Sequence, residues 1–132
     1  MPADLTKPAF DLGVVTTDIE ASLRFYRDLL GFVPLMVLPL DDGDLHLLIA
    51  GEMLIKLKDS PSAVASPKGE IADATGFRYV TFWVANMAEL LDGLRAAGVT
   101  IMREPFEVLP NTMAVLVADP DGNVVEFLEQ AS

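Results

Sequence analysis

The sequence predicts an α+β domain of two βαβββ modules, and three observations lead there. Short runs rich in valine, leucine and phenylalanine alternate with two segments of helical apolar spacing, and the same order occurs twice. Asp11 lies seven residues before the first helix cap, Asp18, and Tyr79 lies seven before the second, Asn86. From cap to terminating glycine takes 13 residues in one half, ending at Gly31, and 12 in the other, ending at Gly98. A period this long that occurs only twice is a duplicated fold unit and not a solenoid. Within one domain of 1–132, module one is expected at 9–58, a linker at 59–76 and module two at 77–129.

Taken in order, residues 10–16 alternate loosely and are rich in valine, so they read as a first strand. Thr17 with Glu20 has capping-box spacing, and Asp18 competes as N-cap. Ile19, Leu23, Tyr26 and Leu30 then share a helical face with Arg24 and Arg27 outside it, which predicts a helix over 18–30 stopped by Gly31. Residues 32–38 form the second strand, 39–44 a loop, and 45–50 with 53–58 a hairpin about Gly51-Glu52. Residues 59–76 hold Pro61, Pro67, Gly69 and Gly76 and no apolar period, hence the linker.

The second pass starts with a strand at 78–84. Asn86 is an N-cap with Glu89 three residues on, and Met87, Leu90, Leu91, Leu94 and Ala97 form the apolar stripe. Residues 99–102 and 106–109 make a strand interrupted by Pro105, Pro110-Asn111 turns the chain, and 112–118 with 123–128 close the fold as a hairpin. In the turn between them, Pro120 pre-sets φ and Gly122 supplies a left-handed residue. Alternation puts Val124, Glu126 and Leu128 on one face and Val125 and Phe127 on the other. Glu126 is then a carboxylate among apolar neighbours in mid-strand, and such a group needs a cation, a metal or a hydrogen-bond donor.

Composition narrows the function. The 132 residues are 52% hydrophobic and suit one domain or two small halves. No apolar run is long enough to span a bilayer, and the first residues lack the basic start and apolar core of a secretory signal. The absence of cysteine removes disulfides, thiolate catalysis and sulfur-ligated metals, and fits a cytoplasmic location. Nine basic residues against 20 acidic, a net charge of −11, leave no cationic face for nucleic acid.

The helix with Phe25-Tyr26 and Leu30-Gly31, the second βαβββ pass, and the closing Asp119-Pro120-Asp121-Gly122-Asn123 turn running into Glu126-Phe127 together resemble the vicinal oxygen chelate superfamily. That superfamily holds glyoxalase I, bleomycin-resistance proteins, methylmalonyl-CoA epimerase and extradiol dioxygenases. The resemblance covers nearly the whole chain and implies a glyoxalase-like fold whose two modules form a cupped cavity, commonly in a homodimer that sometimes exchanges modules. It also implies a metal-ligand position on each of four strands, usually histidine or glutamine on the first strand of a module and glutamate on the last. By position these are Asp11 and Tyr79, then Lys56 and Glu126. Only Glu126 matches the usual type. Asp11 and Glu126 would be the ligands if a metal were bound, but Lys56 replaces an attraction for a divalent ion with a repulsion of similar size. No cofactor is therefore expected. One reading makes Lys56 a substitute for the metal's charge, paired with Glu126 and Asp11, and the other makes it a structural salt bridge.

Catalytic roles follow from chemistry. Glu126 or Asp11 would take a proton next to a carbonyl, Lys56 would stabilise the enolate oxygen or act as a desolvated base, and Tyr79 would donate. For substrate binding, Trp83 would stack a ring, core packing being its commoner role. Arg78 would hold a carboxylate at the rim, with Arg103 and Lys58 as alternatives and solvation the default for all three. His46, the only histidine, would face the cavity or, more commonly for its type, pack in its strand. One histidine cannot supply a two-histidine iron site, which disfavours oxygenase chemistry. The expected function is action on a small molecule by a metal-independent lyase or isomerase. The alternatives are a non-catalytic drug- or metabolite-binding protein, or a metal-dependent lyase or dioxygenase with atypical ligands.

Overall fold

The computed structural model describes residues 1–66 and 69–131, and the chain divides into two compact units, Met1–Val64 and Ala65–Ser132. Pro67 of the expected linker lies outside the described residues. Each unit is one four-stranded sheet with a helix, so the two-module α+β expectation is borne out. No helix among the described residues is long and apolar enough to cross a membrane.

In the first unit, β1 (Leu12–Thr16), α1 (Ile19–Leu23), β2 (Val33–Leu38), β3 (Leu45–Ala50) and β4 (Met53–Asp59) follow one another. The sheet order is β1-β4-β3-β2, with β1 parallel to β4 and the other pairs antiparallel. Asp18, and not Thr17, caps α1, its carboxylate accepting from the Ala21 N–H at 3.1 Å. Behind the cap the buried Ser22 hydroxyl donates to Thr16 Oγ1 at 2.9 Å, tying helix start to strand end. Val14, Leu48, Ile55 and Leu57 are buried on the sheet face turned toward the helix.

The expected regular helix over 18–30 differs from what forms. After Leu23 the chain widens into a π turn, Arg24–Leu29, in which the Leu30 N–H donates to Phe25 O at 2.9 Å. The wider turn rotates the apolar stripe, so that Phe25 and Tyr26, neighbours in sequence, are both buried with ring centroids 4.8 Å apart. Gly31, at φ 78°, closes the segment as expected.

The second unit repeats the plan with β5 (Tyr79–Trp83), α2 (Met87–Ala96), β6 (Ile101–Leu109), β7 (Thr112–Ala118) and β8 (Val124–Gln130), in the order β5-β8-β7-β6 with β5 parallel to β8. Met87, Leu91 and Leu94 are the buried stripe of α2. Asn86 makes no side-chain cap bond. Instead the Glu129 carboxylate, from β8, accepts from the Met87 N–H at 2.6 Å, and a full negative charge suits a helix N-terminus better than a neutral amide. Pro105 does not interrupt β6, which runs unbroken with register shifts, because an edge strand has a side on which a missing N–H costs nothing. In the stretch expected as linker, a short 3₁₀ turn forms at Ile71–Asp73.

The closing turn is held by Asp119, which is 4% exposed. Its carboxylate accepts from the N–H groups of Asp121 at 3.0 Å and Asn123 at 2.8 Å, and from the Asn123 side chain at 2.9 Å. Asp119→Ala removes the acceptor from three half-buried donors and lowers the unfolding free energy by about 1–3 kcal/mol in urea denaturation. A loss within error would show that the turn holds without its carboxylate.

Candidate functional site

The faces turned away from the helices carry Asp11 and Lys56 in the first unit and Tyr79, Trp83 and Glu126 in the second. Parallel pairing sets Gly13 beside Lys56 in the first unit and Thr81 beside Glu126 in the second. Lys56 and Glu126 thus hold equivalent places, in mid-strand on the last strand of each unit.

In the first unit the structure brings Asp11 and Lys56 together, with Lys56 Nζ 3.8 Å from Asp11 Oδ2. The stronger partners of Asp11 are others. Lys7 Nζ donates to Oδ1 at 2.6 Å, and the Leu54 backbone N–H, on β4, donates to the same oxygen at 3.0 Å. The Lys7 bond first, the Leu54 amide second and the Lys56 charge last hold the Asp11 carboxyl below its ordinary range. A carboxylate so held is a weak base. Lys58 is committed elsewhere, donating to Asp42 O in the loop before β3 and to Asp59 O and Ser60 Oγ at the end of β4.

In the second unit, Glu126 is half-buried and accepts from Thr81 Oγ1 at 2.7 Å. Thr81 is its one polar contact among the described residues, and it bonds a single oxygen, Oε1. The same face carries Val124, Leu128, Leu116, Tyr79 and Trp83. Tyr79 is 55% exposed and Trp83 62%, so core packing, the commoner role of a strand tryptophan, does not hold here. The reason is register: Trp83 falls on the face away from α2, while Phe82, on the other face, is buried against Phe127.

Two other expected residues stand elsewhere. His46 pairs with Leu57, not with Lys56, and so faces the helix side of its sheet, away from Asp11 and Lys56. Arg78 donates from Nε to Ile71 O at 3.0 Å and from Nη2 to Glu70 O at 3.1 Å, which spends two of its donors on the 3₁₀ turn. Arg103 lies over the Phe106 ring at 3.5 Å. Thr81 is the residue sequence reasoning passed over as a partner for Glu126. The signal was present: matching Asp11 with Tyr79 also matches Gly13 with Thr81.

The donor set does not fit a divalent ion. The four positions that resemblance nominates carry two carboxylates, a phenol and an ammonium, and the ammonium already competes for Asp11. Among the described residues, within neither unit do three or more of His, Cys, Asp and Glu converge.

A family model described as Glyoxalase/Bleomycin resistance protein/Dioxygenase superfamily matches residues 10–127. A protein of Synechocystis sp. called a probable lactoylglutathione lyase is 28% identical over 123 residues, covering 87% of this chain and 89% of its own. Among solved structures, a glyoxalase family protein from Bacillus cereus superposes with a TM-score of 0.83 at 14% identity, over 98% of this chain and 97% of that one. A lactoylglutathione lyase from Agrobacterium tumefaciens gives 0.65 at 24% identity over 92% of each chain, and the fosfomycin resistance protein FosX from Listeria monocytogenes 0.73 at 13% over 99% and 96%. At these identities the structural likenesses speak to the fold.

Because the folded Asp11 carboxyl is held low, it stabilises the fold above its ordinary range, and that contribution is lost as pH falls through the folded value. In a carboxyl-carbon NMR titration, Lys7→Ala moves the Asp11 midpoint up toward the ordinary range by more than Lys56→Ala does. The reverse ranking would make Lys56 the principal partner.

Proposed function

The chain belongs to the Glyoxalase/Bleomycin resistance protein/Dioxygenase superfamily, and from that premise we propose that it is a metal-independent lyase or isomerase acting on a small molecule with an acidic C–H beside a carbonyl. The supporting observation is Glu126. A carboxylate on an apolar and aromatic sheet face, steadied through one oxygen by Thr81, leaves the other oxygen for a substrate proton. Glu126 is the proposed base. Tyr79, on the same face, is the proposed donor to the oxygen on which negative charge develops. Trp83 offers its ring to a flat part of the substrate. The counterpart face of the first unit has its own proposed role, with the Lys56 ammonium binding an anionic group and Asp11 serving as counter-ion. The Synechocystis relative suggests lactoylglutathione, a 2-hydroxyacyl thioester, as the first compound to try.

A specific observation also favours a second reading. Tyr79 and Trp83, both more than half exposed on one face, would hold a planar molecule by stacking alone, which is what a sequestering protein needs.

One experiment separates the two. Chelator-treated protein is incubated in D2O with lactoylglutathione and related 2-hydroxyacyl thioesters, and exchange of the C–H beside the carbonyl is followed by NMR. Catalysis predicts exchange that Glu126→Gln slows by about 10²–10⁴-fold with affinity retained. Saturable binding without exchange in the wild type supports sequestration and overturns the catalytic reading.

A further inference from the structure

We propose that the first unit holds a second small-molecule site, on the helix side of its sheet, that binds an apolar monocarboxylate. A cavity of about 250 Å³ lies between the π turn and the β2–β3 edge. Its apolar wall includes Leu23, Pro34, Leu35 and Leu48, and its polar groups are Arg27 and His46.

Two departures from regular structure meet at this cavity, beside the single histidine of the chain. The π turn Arg24–Leu29 carries Arg27. The β2–β3 register slips between Pro34 and Met36, leaving Leu35 without a cross-strand partner and on the cavity wall. The histidine, His46, is on the neighbouring strand β3, and its ring has no hydrogen-bond partner among the described residues. A π turn and a bulge each give up regular hydrogen bonding, and both recur where a fold must re-aim side chains at a ligand.

Charge selects the ligand class. The chain has 20 acidic residues, yet none lines this cavity. Arg27 gives Nε and Nη2 to Asp28 at 2.7 and 3.2 Å, and a guanidinium has five N–H donors, so three remain. A carboxylate placed against those donors and the imidazole makes charge-assisted bonds while its hydrocarbon part meets the leucine and proline wall. The volume is at the small end for ligand pockets, which favours a single chain or ring.

The second unit supplies an internal control. Its cavity of about 310 Å³, beside α2, is lined by Asp92, Glu129, Arg95 and Met113. Two carboxylates, Asp92 and Glu129, line it, where the first cavity has none. An anion is repelled there.

The test titrates octanoate, then octanol, into the isotope-labelled full chain and follows the His46 ring and the leucine and methionine methyls by NMR. Octanoate moves His46 and Leu48 saturably. Octanol binds about tenfold or more weakly, and so does octanoate to Arg27→Gln and to His46→Leu. If His46→Leu does not fold, the Arg27→Gln variant and the octanol comparison decide. No saturable shift at about 1 mM, octanol matching octanoate, or shifts centred on Met87 and Met113 would each overturn the proposal.

Discussion

Parallel pairing of the first and last strands of each unit is the constraint from which the rest follows. Antiparallel neighbours need only a turn, but a parallel pair needs a crossover, and here a helix and two strands fill it. The pairing puts the middle of the last strand inside the sheet, where its polar side chain is served chiefly from the strand beside it. In the second unit that neighbour is Thr81, whose hydroxyl meets Glu126. In the first it is Gly13, which offers no side chain and leaves open space where a Cβ would stand, so Lys56 looks instead to Asp11.

One scaffold thus carries two different electrostatic settings. Around Asp11 a carboxylate is saturated by an ammonium at contact, a backbone amide and a second ammonium further off. Such a cluster is suited to receiving an anion and poorly suited to taking a proton. Around Glu126 there is one neutral donor and a surround of aliphatic and aromatic groups. That setting leaves a carboxylate oxygen with work to do. Duplication followed by divergence at two equivalent positions, lysine in one and glutamate in the other, is enough to produce the contrast.

The architecture was legible because its signals are local. Asp18 acts through its carboxylate on an amide three residues on, Gly31 and Gly122 through their own backbone, and the hairpin at Gly51-Glu52 needs only neighbouring strands. What was hidden depends on distant residues. The cap on α2 comes from Glu129, more than forty positions away, and not from Asn86. The facing of His46 and Trp83 depends on register, and a one-residue shift reverses it. The π turn has no signature in apolar spacing, because it changes the spacing itself. At the candidate site the carboxylate of Glu126 could be read as needing a partner, but the identity of that partner required the parallel register.

A metal-independent reaction is proposed because Lys56 sets an ammonium at one of the four positions where the family resemblance implies a metal ligand. Metal analysis is the sharpest test: the purified chain is exposed to excess nickel, zinc, iron or manganese, passed through gel filtration and assayed for bound ion. Ion far below stoichiometry with the chain is expected for each metal, and Lys56→Glu raises it. A stoichiometric ion retained by the wild type, and lost in Glu126→Gln, would contradict the metal-independent reading.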